Sequence, residues 1–302
     1  MKAVRIYGYG SPEMLQYEED VPEPAIGPDT VLIRLVATSV NPIDWKIRSG
    51  ARQKDFPLEL PAILGKDVSG VVLAVGSAVR DFAPGDAVIA LADATYAEIV
   101  AVPAASVTHL PDGVDPIDAG ALPLACLTGD QLVRVATRAE PGQTILVSGA
   151  LGSVGRAAVH SAKTLGATVI VGVRARQLAE TESLGADGAV ALDEADAMAR
   201  LAAVDGVADT VGGAVAATLL GKVRAGGRFG YASVLPADAV AASVEVSRVF
   251  AKPDPVALRG FAEAVHDGSF VLPVSRRMAL RDVAAAHTLL EKGGGGKIVL
   301  TP

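Results

Sequence analysis

A short apolar run, Thr144-Ile145-Leu146-Val147, leads into Ser148-Gly149-Ala150-Leu151-Gly152-Ser153-Val154-Gly155-Arg156. The spacing approximates the dinucleotide-binding pattern G-x-G-x-x-G, with Ala150, Gly152 and Gly155 at its three positions. Alanine suits the first position when its φ is negative. Gly152 would let the backbone approach a pyrophosphate with no Cβ in the way, and Gly155 would let a helix pack close on the strand. The N–H groups of Ser153 and Val154 would then face the phosphates from a helix N-terminus, aided by its dipole. Gly149 falls outside this register and reads as the end of the strand. A tight turn with a purely structural role is the plainer alternative.

The kind of dinucleotide follows from the end of the next strand. An NAD site places Asp or Glu there, about 20 residues past the glycines, to bond the ribose 2′-OH. This chain reads Val171-Gly172-Val173-Arg174-Ala175-Arg176, with no acid before Glu180. The guanidinium groups of Arg174 and Arg176 suit a 2′-phosphate. The pattern therefore favours NADPH, the alternative being two solvated arginines at a strand end.

Such residues need a sheet to hold them. From about residue 119, β-type runs (144–150, 168–174, 189–192, 206–213, 227–233) alternate with helical ones (154–166, 175–185, 194–204, 215–226). Repeated βα units imply an α/β domain with a parallel, doubly wound sheet. Residues 1 to about 118 carry β-type runs at 30–40, 68–76, 86–91 and 96–104, separated by Pro and Gly. That spacing predicts a mostly antiparallel β domain. The tail, 281–302, predicts an amphipathic helix and a strand that return to this first domain.

The bulk composition narrows the possibilities. The chain has 302 residues, half of them hydrophobic, and a formal net charge of −7. This does not favour nucleic acid or an anionic membrane as a partner. No apolar run approaches the roughly 20 residues of a membrane span, and the first residues lack a signal-peptide core. With one cysteine, Cys126, an intrachain disulfide and a cysteine-rich zinc site are both excluded. A cytoplasmic location is the expectation.

Several segments together resemble the medium-chain dehydrogenase/reductase superfamily, and within it the zinc-free quinone oxidoreductase branch. They are VNPIDWKIRSG (40–50), LGKDVSGVVLAVGSAVRDFAPGDAV (64–88), YAEIVAVPA (96–104), LPLACLTGDQLV (122–133), ILVSGALGSVGRAAVHSAKTLGA (145–167) and GKIVLTP (296–302). Alanine at the first glycine position is ordinary in that branch. The resemblance implies a GroES-like β-barrel catalytic domain, 1–118 with 268–302, and a Rossmann NADP-binding domain, 119–267. It also implies a homodimer, paired through an edge strand for which 244–250 stands, though that segment could equally be an ordinary edge or a buried strand.

Zinc-dependent relatives draw catalytic ligands from positions that fall here on Asn41, Lys66 and Leu124. These side chains do not offer the thiolates and imidazole that zinc prefers. Cys126 is offset by two positions and reads as a small buried residue. No metal is expected. The resemblance then implies hydride transfer from NADPH to a quinone or an α,β-unsaturated carbonyl. The protein must place the reactants and stabilise charge growing on the substrate oxygen.

Three side chains are candidates for that work. Asn41 could bond the nicotinamide or the substrate carbonyl, or serve only as an Asn-Pro turn initiator. Asp44 would orient its neighbours or cap a short helix. Lys66 could polarise a carbonyl in place of a metal, held by Asp67 next door, or be a solvated lysine. Lys46 stands where some quinone reductases carry a tyrosine, so the proton donor is left open. For the cofactor, Thr128 matches a Thr-Gly pair that opens a helix beneath the nicotinamide, and Lys297 resembles a position near the phosphates, an exposed lysine near a terminus being the equal alternative. Thr210, just past Asp209, and Tyr231 close the fourth and fifth strands, at the carboxyl edge where ligands lie in such sheets. Two other functions stay open: an enoyl-thioester reductase of fatty-acid or polyketide metabolism, and a non-enzymatic NADPH-binding redox sensor.

Overall fold

The computed structural model describes residues 1–237, 239, 243–293 and 296–302. The chain divides into two compact units, Met1–Leu124 with Pro253–Pro302, and Ala125–Lys252. The second boundary lies earlier than the 267/268 that the resemblance implies. Helix Pro255–His266 belongs to the first unit, where it buries Leu258, Phe261 and Ala262. From it Arg259 donates to the His109 carbonyl at 3.4 Å.

The first unit is built on a sheet in the order Val274–Ala279, Lys297–Thr301, Thr30–Val40, Asp67–Val75, Ala87–Leu91 and Val107–His109, with Ile99–Pro103 also paired to Thr30–Val40. Every pairing is antiparallel except that of Val274–Ala279 with Lys297–Thr301. The long strand Thr30–Val40 explains much of the arrangement. Val31, Ile33, Leu35 and Ala37 face the core in strict alternation, the period of a half-buried strand. From Ala37 onward residues on both faces are buried, and in the same stretch the C-terminal strand pairs alongside, Val40 opposite Ile298 and Ser39 opposite Val299. Polar residues in that stretch, Thr38, Ser39 and Asn41, are buried and must find partners inside. The tail thus returns to the first unit as its sequence predicted.

The second unit carries six parallel strands in the order Gly188–Ala191, Thr168–Val173, Thr144–Ser148, Val204–Asp209, Val223–Tyr231 and Glu245–Arg248. Ile145, Leu146 and Val147 are all fully buried, since helices cover both faces of such a sheet. Strand order reverses between Thr144–Ser148 and Val204–Asp209. Their last residues, Ser148 and Asp209, therefore flank the switch point where open α/β sheets bind ligands. Glu245–Arg248 forms one edge of the sheet.

Three predicted helices are shorter or tighter than expected: the one read at 215–226 is Gly213–Leu220, since Val223 already begins a strand. Ala175–Leu184 is a 3₁₀ segment. Thr181 and Ser183 hydroxyls bond carbonyls three residues back, at Leu178 and Glu180, and only Thr181 is buried, so no apolar stripe holds an α-helix there. The helix expected over 194–204 is only Ala195–Arg200, because Val204 already pairs with Val223 in the sheet.

Candidate active site

In the second unit the glycine turn joins strand Thr144–Ser148 to helix Ser153–Thr164. The left-handed residue of the turn is Gly149, with φ +62°. A Cβ on Gly149 would lie 2.4 Å from the Thr210 hydroxyl. Gly149 therefore does more than end the strand. It takes the conformation an alanine resists, which frees Ala150, fully buried, to occupy the first pattern position at negative φ. At Gly155 a Cβ would fall 2.3 Å from the Gly149 carbonyl and 2.6 Å from Ala150 Cα. Close packing of helix on turn forbids any side chain there.

Gly152 differs from both. Its φ of −74° is open to any residue, and an added Cβ would meet only the Gly149 carbonyl, at 3.3 Å. Among the described residues only the Gly149 carbonyl would have to give way, and by a few tenths of an ångström. The missing side chain leaves open ground over the first-turn N–H groups of Ser153 and Val154, which have no intrahelical acceptor. That vacant approach fits a pyrophosphate on the helix N-terminus.

The switch point is braced from within. Ser148 donates to the Asp209 carboxylate at 2.6 Å, and the Val211 and Gly212 N–H groups donate to the same carboxylate. Burial raises the Asp209 pKa. Thr210 donates its N–H to Ser148 Oγ at 2.9 Å and its hydroxyl to the Ser148 carbonyl at 2.7 Å. The Thr210 proton is thus spent inward, and only its oxygen is left to accept. Tyr231 closes the fifth strand and is half-buried. Arg174 and Arg176 are exposed beyond strand Thr168–Val173, with no ion pair among the described residues. Thr128 does not open a helix. It sits well inside helix Pro123–Gln131, and the following Gly129 packs that helix against Val154 and Ala158.

In the first unit Asn41 is the N-cap of helix Pro42–Arg48, with proline at the first helical position. Its side chain looks away from the helix. Asn41 Nδ2 donates to Asp67 Oδ2 at 2.7 Å, and Lys297 Nζ donates to Asn41 Oδ1 at 2.8 Å. Lys297 Nζ also stands 3.5 Å from Asp67 Oδ2. Ser39 donates to the same carboxylate oxygen, and the Leu124 N–H donates to Asp67 Oδ1 at 2.6 Å. All five residues lie in this unit, and Asn41, Asp67 and Lys297 are at most 5 % exposed. Lys297 is therefore not the exposed terminal lysine its position suggests.

The arrangement corrects the pairing expected at Lys66. Asp67 does not hold Lys66. Lys66 pairs with the exposed Asp93 and lies 5.3 Å from the centre of the Phe56 ring. Lys66 and Asp67 are neighbours at the start of a strand, so their side chains leave on opposite faces. Asp67 points inward and takes its cation from the C-terminal strand instead.

Asp44 accepts the Asn41 N–H at 2.7 Å and the Tyr96 hydroxyl at 3.0 Å. Burial pushes its carboxyl up to about 7, against the opposing pull of the Asn41 N–H. Tyr96, which the sequence did not mark, is fully buried and its pKa is raised by that burial. Gly65, at φ +97°, gives it room, since a Cβ there would fall 2.6 Å from the ring. Within the first unit the structure thus brings Asn41, Asp44 and Lys297 together with Ser39, Asp67 and Tyr96, and leaves Lys66 facing Asp93. Among the described residues no three His, Cys, Asp or Glu side chains gather to hold a metal ion.

Comparison with known proteins gives these features a context. Residues 27–112 match the alcohol dehydrogenase GroES-like domain family, and residues 184–300 match the zinc-binding dehydrogenase family. The chain is 37 % identical over 204 residues to the NADPH-dependent alkenal/one oxidoreductase of Arabidopsis thaliana, a match covering 63 % of this chain and 52 % of that protein. It spans between about half and three fifths of the length of the first curated relatives it matches. The quinone oxidoreductase structure from Coxiella burnetii superposes with a TM-score of 0.87 at 29 % identity, covering 100 % of this chain and 99 % of that one. A structure described as an NAD-dependent alcohol dehydrogenase gives 0.87 at 29 % identity with both chains fully covered. The Escherichia coli quinone oxidoreductase complexed with NADPH gives 0.85 at 26 % identity, again with both chains fully covered. The first unit carries the GroES-like β fold and the second a Rossmann-like parallel sheet.

Proposed function

Because the chain belongs to the medium-chain dehydrogenase/reductase superfamily, we propose that it is a zinc-independent, NADPH-dependent oxidoreductase acting on quinones or α,β-unsaturated carbonyls. One observation carries this reading. The positions that supply zinc ligands in metal-dependent relatives hold Asn41, Lys66 and Leu124, and Asn41 is locked by Lys297 and Asp67 into a fixed amide donor.

NADPH, when bound, supplies the hydride. The residues of this chain do the rest. Gly152 clears the approach to the N–H groups of Ser153 and Val154, which receive the pyrophosphate. Arg174 and Arg176 receive the 2′-phosphate. Thr210 and Tyr231 stand at the carboxyl edge of the sheet, with Thr210 as an acceptor, while buried Ala150 holds the turn that the pyrophosphate approaches and Thr128 serves from helix Pro123–Gln131. Asn41 has two Nδ2 protons. One is held by Asp67, while the other makes only long contacts to Ser39, at 3.4 and 3.5 Å. That second proton is the donor for a substrate oxygen as it gains negative charge, and the Lys297 ammonium behind the amide strengthens it. A third Lys297 N–H is left over after Asn41 and Asp67. Asp44 holds the Asn41 backbone in place.

We further propose a cytoplasmic homodimer paired through the edge strand Glu245–Arg248. The single cysteine supports the compartment, and no described helix is long and apolar enough to cross a membrane.

The test is loss of NADPH absorbance with a panel of a naphthoquinone, an alkenal, a cyclic enone and an enoyl-CoA, beside oxidation of a primary alcohol with NADP⁺. Turnover of the quinone, alkenal or enone is the expected result. Turnover of the thioester alone assigns an enoyl-thioester reductase, and tight NADPH binding with no turnover assigns a sensor.

A further inference from the structure

Asp44 ends a longer buried chain. Tyr96 Oη lies 3.0 Å from Asp44 Oδ2 and 3.1 Å from His287 Nε2, and His287 Nδ1 lies 3.4 Å from Arg48 Nη1. Arg48 also donates to the Gly10 carbonyl at 3.1 Å and to Glu291 at 2.5 Å. Arg48, His287, Tyr96 and Asp44 are each at most 2 % exposed. The chemistry of the members fixes the direction of every bond. Guanidinium has no acceptor, so His287 Nδ1 accepts and the ring proton sits on Nε2. Nε2–H then donates to Tyr96, whose only remaining proton goes to Asp44. The Tyr96 backbone is pinned as well, its N–H to the Leu64 carbonyl at 2.9 Å and its carbonyl to the Val4 N–H at 2.8 Å.

We infer that Tyr96 and His287 are positioning residues: with Arg48 they form a one-way donor chain that ends on Asp44 and fixes the corner from which Asn41 projects. Its bearing on turnover rests on the function proposed above, while the chain itself does not. It orients and does not conduct. A proton leaving Asp44 along this chain would have to pass His287 Nδ1, which already accepts from a permanent cation. The charged groups around the chain agree. Burial, and after it Arg48, holds His287 neutral, with a pKa lowered to about 3. Asp67 opposes the charge on Asp44, and Lys66 and the Tyr96 hydroxyl favour it. Glu291 faces Arg48 at the outer end.

The experiment is NMR on the full-length protein labelled with ¹⁵N-histidine and ¹³C-aspartate, with Asp44→Asn assigning the Asp44 signal. In the wild type, His287 is expected as the Nε2–H tautomer, unprotonated to at least pH 5. A proton on Nδ1 overturns the inference, whether or not any variant folds. In Tyr96→Phe, Asp44 loses a donor to its charged form and is expected to titrate at higher pH than in the wild type. His287→Phe is expected to move it the same way by less. An unmoved Asp44 titration in a folded Tyr96→Phe protein also overturns the inference. On a substrate that turns over, Tyr96→Phe is expected to lower kcat by about tenfold with KM for NADPH unchanged. Absence of any turnover in the wild type sinks the proposed function and leaves the NMR result standing.

Discussion

Lys297 Nζ donates to Asn41 Oδ1 at 2.8 Å, joining residues 256 positions apart. The contact exists because the last strand pairs antiparallel with Thr30–Val40, Ile298 opposite Val40. It places a buried ammonium behind the amide assigned to the substrate oxygen. Removing it strands Asp67 in the interior. We expect Lys297→Met to destabilise the protein by about 3 kcal/mol in urea unfolding, the usual cost of leaving a buried ion uncompensated. Lys66→Ala is expected to cost less than about 1 kcal/mol, because Lys66 pairs with an exposed partner. Equal losses in the two variants would contradict the assignment.

Asn41 and Lys66 separate in kinetics too. Asn41→Ala removes an oriented donor and should lower kcat by on the order of 100-fold. Lys66→Ala should lower it less than about threefold. A large kcat loss in Lys66→Ala would return that lysine to the reacting centre.

The glycine turn separates packing from ligand contact. Gly155→Ala forces a Cβ into backbone atoms that cannot give way and should cost about 2–3 kcal/mol of stability. Gly152→Ala should cost less, about 1 kcal/mol at most, since an added Cβ would meet a single neighbour, the Gly149 carbonyl at 3.3 Å. The same change should raise the Kd for NADPH by about tenfold or more, measured by fluorescence titration. Unchanged NADPH affinity in Gly152→Ala would remove the pyrophosphate from this turn.

Arg174→Ala and Arg176→Ala should each weaken NADPH by about tenfold through loss of a charge-assisted contact. NADH, lacking the 2′-phosphate, should be unaffected. Wild-type protein that prefers NADH would reverse the cofactor assignment.

Opposed titrations give a pH signature. Asp44 rises to about 7 in the folded state, so it binds a proton there that the unfolded chain has released. Its contribution is full at low pH and is lost as pH rises from about 4 to about 7. His287 falls to about 3, so its contribution is present above about 6.5 and is lost as pH falls toward 3. Between pH 4 and 6.5 the two slopes, each at most about 1.4 kcal/mol per pH unit, run against each other. Relative to wild type, Asp44→Asn should gain stability as pH rises through that window and His287→Phe should lose it. Thermal melts across pH 4–7 check both signs.

The second unit was largely legible because its signals are local. Strand, turn and helix around Gly152 follow within a single βα unit, and the apolar runs match the buried strands. The role of Gly149 was not legible, because its demand for glycine comes from Thr210, some 60 residues away. In the first unit Asn41, Asp44 and Lys297 stood out by residue type and resemblance. Tyr96 and His287 did not, since a lone aromatic and a lone histidine in apolar segments read as core. The sequence did carry one hint, Ser39-x-Asn41 at the end of an otherwise apolar strand, where buried polar groups require partners. Which cation reached Asn41 depended on strand register and on the face taken by Lys66, and neither is written in residue spacing.

The proposed hydride transfer needs no zinc at the Asn41 corner. The most direct measurement is kcat/KM with NADPH and the best quinone or enone of the panel, before and after exhaustive chelation, beside elemental analysis of the purified protein. The account predicts no stoichiometric zinc and an unchanged kcat/KM. Activity that falls on chelation and returns with added zinc would contradict it.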